Sequence, residues 1–306
     1  MKRISAGAMK QYLFVTDLDG TLFNDTRTIS RKNLTALAQA RSMGSITAIA
    51  TGRSLYSFQK AMVSLGDSIR QELPIDYVAF STGAGVMTFP GEQIIRQHRL
   101  EPEEVACISN AFERLELDYM IHRPIPMTNH FLYRCHSRDN PDFFSRIRIY
   151  QDYAREMDTA VTVFEPATQL LAVVPPTRPL DFMADLANEL EPFSMIQTTS
   201  PLDHQSRWIE VFNKEVSKSQ AISWLADDLN IDRKNIGAIG NDYNDQDLLT
   251  WVQKGYVVAN APHDLKQQFR VMDSNNRDGV AGAVFDFLGG SVSACGAAFH
   301  TSSSRS

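Results

Sequence analysis

The chain has 306 residues, a formal net charge of −6 and 43% apolar residues. That length exceeds what one compact core needs, so one large domain with an insertion, or two domains, is expected. The apolar content supports a packed core rather than a disordered chain. No basic face stands out, which argues against a nucleic-acid partner but leaves room for a local cationic pocket for a small anion.

Three cysteines, Cys107, Cys135 and Cys295, are widely spaced and form no CxxC. That pattern fits a reducing compartment and not a disulfide frame or zinc cluster. Met1-Lys2-Arg3 is not followed by the apolar run of a signal peptide, because Lys10 interrupts it. No stretch of ~18 apolar residues occurs. A cytoplasmic protein without membrane association is expected, and no protein partner can be inferred.

Residues 12–16 (YLFVT) are apolar on both faces and predict a buried parallel strand. A polar loop follows. Ser30 then caps a helix with Leu34, Leu37 and Ala38 in register, closed by Gly44. Residues 45–50 (SITAIA) predict a second strand ending at Thr51-Gly52-Arg53, with a helix through Leu55, Phe58, Met62 and Leu65 behind it. Residues 76–81 (DYVAFS) predict a third strand. Alternating strands and helices with short links predict an α/β fold, a Rossmann-like doubly wound parallel sheet.

The pattern changes after Gly85. Pro90-Gly91 marks a hairpin turn, Pro102 opens a helix with Val105, Ile108 and Phe112 as its stripe, and 118–122 predicts a strand. Asn140-Pro141 starts a helix, 160–165 and 168–174 predict a hairpin, and 177–190 predicts a helix. Alternation resumes with a strand at 208–212 (WIEVF), a helix capped by Ser217, a strand at 235–240 (NIGAIG), a short strand at 256–259 and a last helix after Asp278-Gly279. Residues 1–85 and 205–290 are therefore expected to form the core, 86–204 an inserted α+β cap, and 291–306, rich in Ser and Ala, a disordered tail.

Ligands of open α/β sheets bind beyond the carboxyl ends of the strands. Asp17-Leu18-Asp19-Gly20-Thr21 follows the first strand, Thr51 the second, and Asn241-Asp242-Tyr243-Asn244-Asp245 the 235–240 strand; Lys218 starts the helix after 208–212. Each has a plain structural explanation when taken singly: a turn, a helix cap, a solvated lysine. Together, each at the proper end of its strand, they point to one polar site.

This constellation resembles the haloacid dehalogenase superfamily, in its DLDGT at 17–21, Thr51 in TGR, Lys218 in VSKSQA and GNDYND at 240–245. The insertion resembles a C2-type cap of the Cof-like (IIB) branch. The resemblance implies Mg²⁺-dependent hydrolysis of small phosphate monoesters, sugar phosphates in particular. Asp17 would be the covalent nucleophile, Asp19 the acid and base, and Thr51 and Lys218 the phosphoryl-binding groups, with Gly52, Arg53 and Asn244 beside them. The metal would rest on Asp17, Asp19 and Asn241. Asn241 departs from the family, which has Asp there; an amide oxygen still suits a hard cation but adds no charge, so Asp242 or Asp245 are alternative ligands. In the cap, His122-Arg123 at a strand end are the expected specificity residues, while Arg146 and Arg148 read as surface charges. A phosphomutase and a non-catalytic phosphosugar-binding protein would carry much the same residues.

Overall fold

The computed structural model describes residues 11–158 and 163–289. The expected tail at 291–306, the first ten residues, Cys295 and residues 160–162 of the expected hairpin lie outside the described residues.

In chain order the first part holds β1 (Leu13–Thr16), α1 (Arg31–Ser42), β2 (Ile46–Ala50), α2 (Leu55–Ser64), α3 (Asp67–Glu72), β3 (Tyr77–Phe80), β4 (Gly85–Thr88) and β5 (Ile94–Gln97). The middle holds α4 (Pro102–Arg114), β6 (Asp118–His122), β7 (Phe131–Arg134), α5 (Pro141–Ile149), β8 (Ala154–Glu156), β9 (Gln169–Val174), α6 (Met183–Glu189), β10 (Ser194–Thr199) and β11 (Arg207–Phe212). The last part holds α7 (Lys218–Asp228), β12 (Ile236–Gly240), α8 (Gln246–Trp251), β13 (Lys254–Val258), α9 (His263–Gln268), β14 (Arg270–Met272) and α10 (Gly279–Phe287).

Two sheets organise these elements. The first has strand order β14-β13-β12-β1-β2-β3-β4-β5. Its pairings are parallel from β14 to β3 and antiparallel from β3 to β5. β1 is buried throughout because helices cover both faces of the sheet. Phe14 packs with Leu37 of α1, Phe58 of α2 and Phe287 of α10. Leu13 and Val15 pack with Ile222 and Leu225 of α7 and Leu249 of α8. The doubly wound core expected from the alternation is present.

The second sheet has order β10-β11-β9-β6-β7-β8 and is antiparallel except where β7 meets β8. α4 and α6 cover one face, joining Phe112 and Leu186 to Tyr119, Leu170 and Ile209. α5 covers part of the other, joining Phe143 to Met120, Leu171 and Trp208.

Strand pairing moves the expected cap boundaries. β4, which starts at Gly85, and β5 extend the first sheet, so the insertion begins near residue 98 and not at 86. β11, expected in the core, is a strand of the second sheet, so the cap runs to about residue 212 and not to 204. The helix expected over 177–190 starts only at Met183, since the residue before Pro179 is pushed out of helical geometry. Residues 163–165 form no strand; β9 pairs instead with β6 and β11.

The turn after β3 supports the start of α7. Gly83 has φ +99°, and a Cβ there would lie 2.4 Å from the Ser217 carbonyl oxygen. Gly44 also has positive φ, at +83°, but nothing lies within 4 Å of its Cβ position. Gly83→Ala is expected to destabilise the fold by more than ~3 kcal/mol and Gly44→Ala by only ~1–2 kcal/mol. Urea denaturation of both variants measures the difference; equal losses would mean that the 83–217 contact yields easily.

Candidate active site

β12, β1 and β2 are adjacent, with Thr16 in register with both Ile239 and Ile49. Neighbouring strands stand about 4.8 Å apart. Asp17, Asn241 and Thr51 therefore leave the sheet side by side at its carboxyl edge.

Asp17 is 6% exposed, and its amide donates to the Ile239 carbonyl. Lys218, the first residue of α7, is fully buried. Its Nζ donates to Asp17 Oδ1 at 2.7 Å and to Asp245 Oδ1 at 2.5 Å. Asp245 Oδ2 accepts from the amides of Asn241 (2.8 Å) and Asp242 (3.1 Å). Burial pulls the Lys218 ammonium down, but the two carboxylates outweigh it and hold it above its ordinary value. Burial pushes Asp17 up to about 7, with Lys218 opposing and Asp245 adding to the rise.

The loop after β1 doubles back at once. Phe23 donates to the Leu18 carbonyl, and Gly20 takes φ +71° beneath Asn241, where a Cβ would lie 2.7 Å from the amide nitrogen. One end of the Asn241 amide lies 3.0 Å from the Asp19 main-chain oxygen and 3.1 Å from both Asp17 Oδ2 and Thr21 Oγ1. With nitrogen there, the amide donates to all three. With oxygen there, it accepts from the Thr21 hydroxyl and three oxygens of Asp17, Asp19 and Asn241 converge. Their spacing approaches the edge of a Mg²⁺ octahedron, about 3.0 Å for bonds of about 2.1 Å. The donor set fits a hard cation. The described residues contain no cluster of three or more His, Cys, Asp or Glu side chains suited to a metal; the set beside Asp17 draws on a main-chain oxygen and an amide instead.

Thr51 is buried, its amide bonded to the Ala79 carbonyl and its hydroxyl accepting from the Arg53 amide at 3.1 Å. Arg53 grips both oxygens of Asp19 at 2.6 Å. Gly52 is exposed, with the Asn244 amide nitrogen 3.4 Å from where its Cβ would be. Asp242 Oδ1 turns back to the Tyr243 amide.

The cap contributes a second polar group. Glu210 of β11 is buried, with long bonds of 3.4 Å from Thr82 of the core and from Gln169 of β9. Burial pushes its carboxyl up to about 7 against the pull of Arg146, Thr82, Gln169 and Lys218. His122 Nδ1 lies 2.8 Å from the Thr128 carbonyl, and burial, with Arg146 nearby, pushes this imidazole down to about 3. The ring of Tyr56 on α2 lies 5.5 Å from Tyr153 and 6.0 Å from Tyr150, which closes one side of the junction.

A profile of the haloacid dehalogenase-like hydrolases matches residues 14–284. The chain belongs to that family. YxeH of Bacillus subtilis (strain 168), provisionally named a phosphatase, is 23% identical over 90% of this haloacid dehalogenase-like hydrolase and 98% of its own length. YitU of the same organism, a 5-amino-6-(5-phospho-D-ribitylamino)uracil phosphatase, is 25% identical over 89% and 96%. Among solved structures, a phosphatase of the superfamily from Bacteroides thetaiotaomicron covers 93% of this chain and 98% of its own at 18% identity and TM-score 0.69. A subclass IIB sugar phosphatase covers 90% and 99% at 18% identity and TM-score 0.67. These structural likenesses are to the fold.

Most site residues expected from the sequence of this family member meet at one sheet edge. The cap residues divide. His122 is buried, whereas Arg123 is exposed and lies 3.8 Å from Glu165, which is more exposed still. Arg146 is not the surface charge it was expected to be: its Nε is buried and its guanidinium stacks over Trp208 at 4.6 Å. Glu210 and Gln169 escaped the sequence reading. The signal for Glu210 was one acid inside the apolar run WIEVF.

The Glu210 shift has a thermodynamic consequence. A folded-state value near 7 against 4.5 means that the folded protein holds the proton more tightly. Stability attributable to this carboxyl is therefore present below about pH 4.5 and lost as pH rises through about 7. Relative to Glu210→Gln, the wild type is expected to gain ~3 kcal/mol between pH 8 and pH 5, an order-of-magnitude figure from the same shift. Urea unfolding of both proteins across that range reads the difference; parallel curves would mean that the carboxyl is solvated.

Proposed function

We propose that this haloacid dehalogenase-like hydrolase is a phosphatase acting on small phosphate monoesters, sugar phosphates in particular, with Asp17 as nucleophile and Mg²⁺ as cofactor. One observation carries the proposal: a buried carboxylate held by a buried lysine, with the Asp19 main-chain oxygen and one end of the Asn241 amide gathered on its other side. The names of YxeH and YitU, both given as phosphatases, agree with it. So does the fold shared with a sugar phosphatase.

A phosphate dianion repels an anionic nucleophile, so the site must first neutralise charge. Asp17, the Asp19 carbonyl and Asn241 would hold Mg²⁺, which when bound offsets the charge between phosphate and carboxylate. Lys218 orients Asp17 and adds a cation beside the phosphoryl oxygens. The Thr51 hydroxyl and the Gly52 amide lie at the adjacent strand end as donors to those oxygens, with the Asn244 amide next to them. An Asp17 oxygen attacks phosphorus; the bond to the ester oxygen breaks as Asp19 gives that oxygen a proton. Water then attacks the aspartyl phosphate, returning its proton to Asp19 and freeing phosphate and the Asp17 carboxylate. Both oxygens of Asp19 are taken by Arg53 in the arrangement described above. Acid–base work by Asp19 requires Arg53 to move, and the incoming phosphoryl group is an anion for it to follow. Asp245 is fully engaged with Lys218 and two amides, so it acts as a positioning group, and Asn241 is the better metal ligand.

Asp17→Asn is expected to lower phosphate release from an aryl phosphate by at least about 10³-fold with the fold retained by circular dichroism; substantial turnover would remove Asp17 from the chemistry. Asn241→Asp, by adding charge, is expected to lower the Mg²⁺ concentration for half-maximal activity. Indifference to substitution at both Asn241 and Asp242 would put the cation elsewhere.

A further inference from the structure

We propose that His98 is a positioning residue for Lys218 and that it serves as a neutral imidazole: the ring accepts a hydrogen bond from Arg96 and so holds that guanidinium against the first turns of α7. His98 follows β5 in the first connection between the two sheets, and its amide donates to the Ala84 carbonyl at 2.8 Å. Arg96 lies on β5, and its Nε donates to His98 Nε2 at 2.9 Å. Its Nη1 donates to the Gln220 carbonyl at 3.3 Å, and its guanidinium stands over the Trp224 ring at 5.1 Å. Both partners belong to α7, whose first residue is Lys218. Gln220 is itself bound into that turn, its amide on Ser217 Oγ and its side chain on the Lys214 carbonyl. Arg96 therefore bears on the start of the helix, as does the turn at Gly83. Lys218 bonds Asp17 at 2.7 Å, so movement of this turn is felt at the nucleophile. A misplacement on the order of 1 Å costs about 10²-fold in rate.

The hydrogen bonding fixes the protonation state. An arginine only donates, so His98 Nε2 is an acceptor and the ring hydrogen sits on Nδ1. Nδ1 lies 3.6 Å from Glu215 Oε2, in the second connection between the sheets. A further proton has to enter at Nε2, where it meets the Arg96 Nε hydrogen. The bond is then lost and two cations face each other. Burial and Arg96 accordingly hold the imidazole below its ordinary value, with Glu215 opposing them. Arg96 and Glu215 are the charged groups that bear on the ring. Arg99, next in the chain, is engaged by Glu101, and α7 meets the cluster with the uncharged Gln220 and Trp224. Protonation therefore moves His98 from Arg96 to an ion pair with Glu215 and frees Arg96 from its place on α7. Acid loosens the seat of Lys218 from outside the polar site.

The kinetic consequence rests on the phosphatase reading and is measured as phosphate release from para-nitrophenyl phosphate with Mg²⁺, in wild type, His98→Gln and His98→Lys. A glutamine amide keeps an acceptor for Arg96 but does not titrate. The kcat values of wild type and His98→Gln are expected to agree within about twofold at pH 8, and wild type to fall at least about threefold further than His98→Gln by pH 5. Groups common to both proteins cancel in that ratio. His98→Lys, a cation throughout this range, is expected to lower kcat about tenfold at pH 8, with KM within about twofold and the circular dichroism of the wild type. A ratio of wild type to His98→Gln that is constant with pH overturns the proposal, and so does wild-type kcat in His98→Lys. His98→Gln as slow as His98→Lys at pH 8 also overturns it, since the acceptor alone would not suffice. No hydrolysis by the wild type, with or without Mg²⁺, overturns the phosphatase reading instead. The ring ¹⁵N shifts of His98 then still decide its contact with Arg96: the Nδ1–H tautomer supports it and the Nε2–H tautomer overturns it.

Discussion

The site depends on one buried ammonium. Lys218 brings a single positive charge to two carboxylates, Asp17 and Asp245, inside a region that water does not reach. Such a group is costly unless every charge is bonded. Asp245 meets that demand at its far oxygen, where two backbone amides fix it in place. Lys218 is thereby pulled toward a rigid anchor, and Asp17 toward Lys218. Gly240 permits this, since a Cβ there would lie 2.4 Å from the Asp245 carboxylate. With both carboxylates ionised the trio is net negative, which is the electrostatic reason that a cation fits on the open side of Asp17.

The loop that follows Asp17 is equally constrained. The Asn260 amide donates to the Gly20 carbonyl, and Asn275 donates to the Phe23 carbonyl and to Asp25. Asn275 also gives its own amide hydrogen to Asn260. Two distant parts of the chain therefore share a small network of side-chain amides, and the oxygens around Asn241 are held before any ligand arrives. Preorganised groups of this kind do not have to reorient when charge develops.

Strand ends were readable from the sequence because their logic is local: an apolar run that stops at polar residues stops at a sheet edge. The burial of 13–16, 46–50 and 236–240 bears that out. Sheet membership was not readable, because pairing is a non-local choice. WIEVF is a buried run in either sheet, and the return of strand–helix alternation at that point favoured the core. The hairpin around Pro90-Gly91 was visible as a hairpin, but nothing in it says which neighbour it extends. Arg146 read as a surface charge because arginines are mostly exposed and its sequence neighbourhood marks no partner. The rings of Trp208, 62 positions later in the chain, and of Tyr150 make a place for it. β14, three residues long, gave no periodic signal at all.

The polypeptide passes between the two sheets at two places, after β5 and after β11. A rigid turning of the smaller unit has its axis through those connections, so displacement grows with distance from them. Glu210 is two residues from the second connection, whereas α5 and the tyrosines that follow it are far from both along the chain. Swinging the smaller unit open would lift the aromatic side first and carry Glu210 the least. In such a turn the contact of Tyr56 with Tyr150 and Tyr153 would part while Glu210 stayed near the pivot.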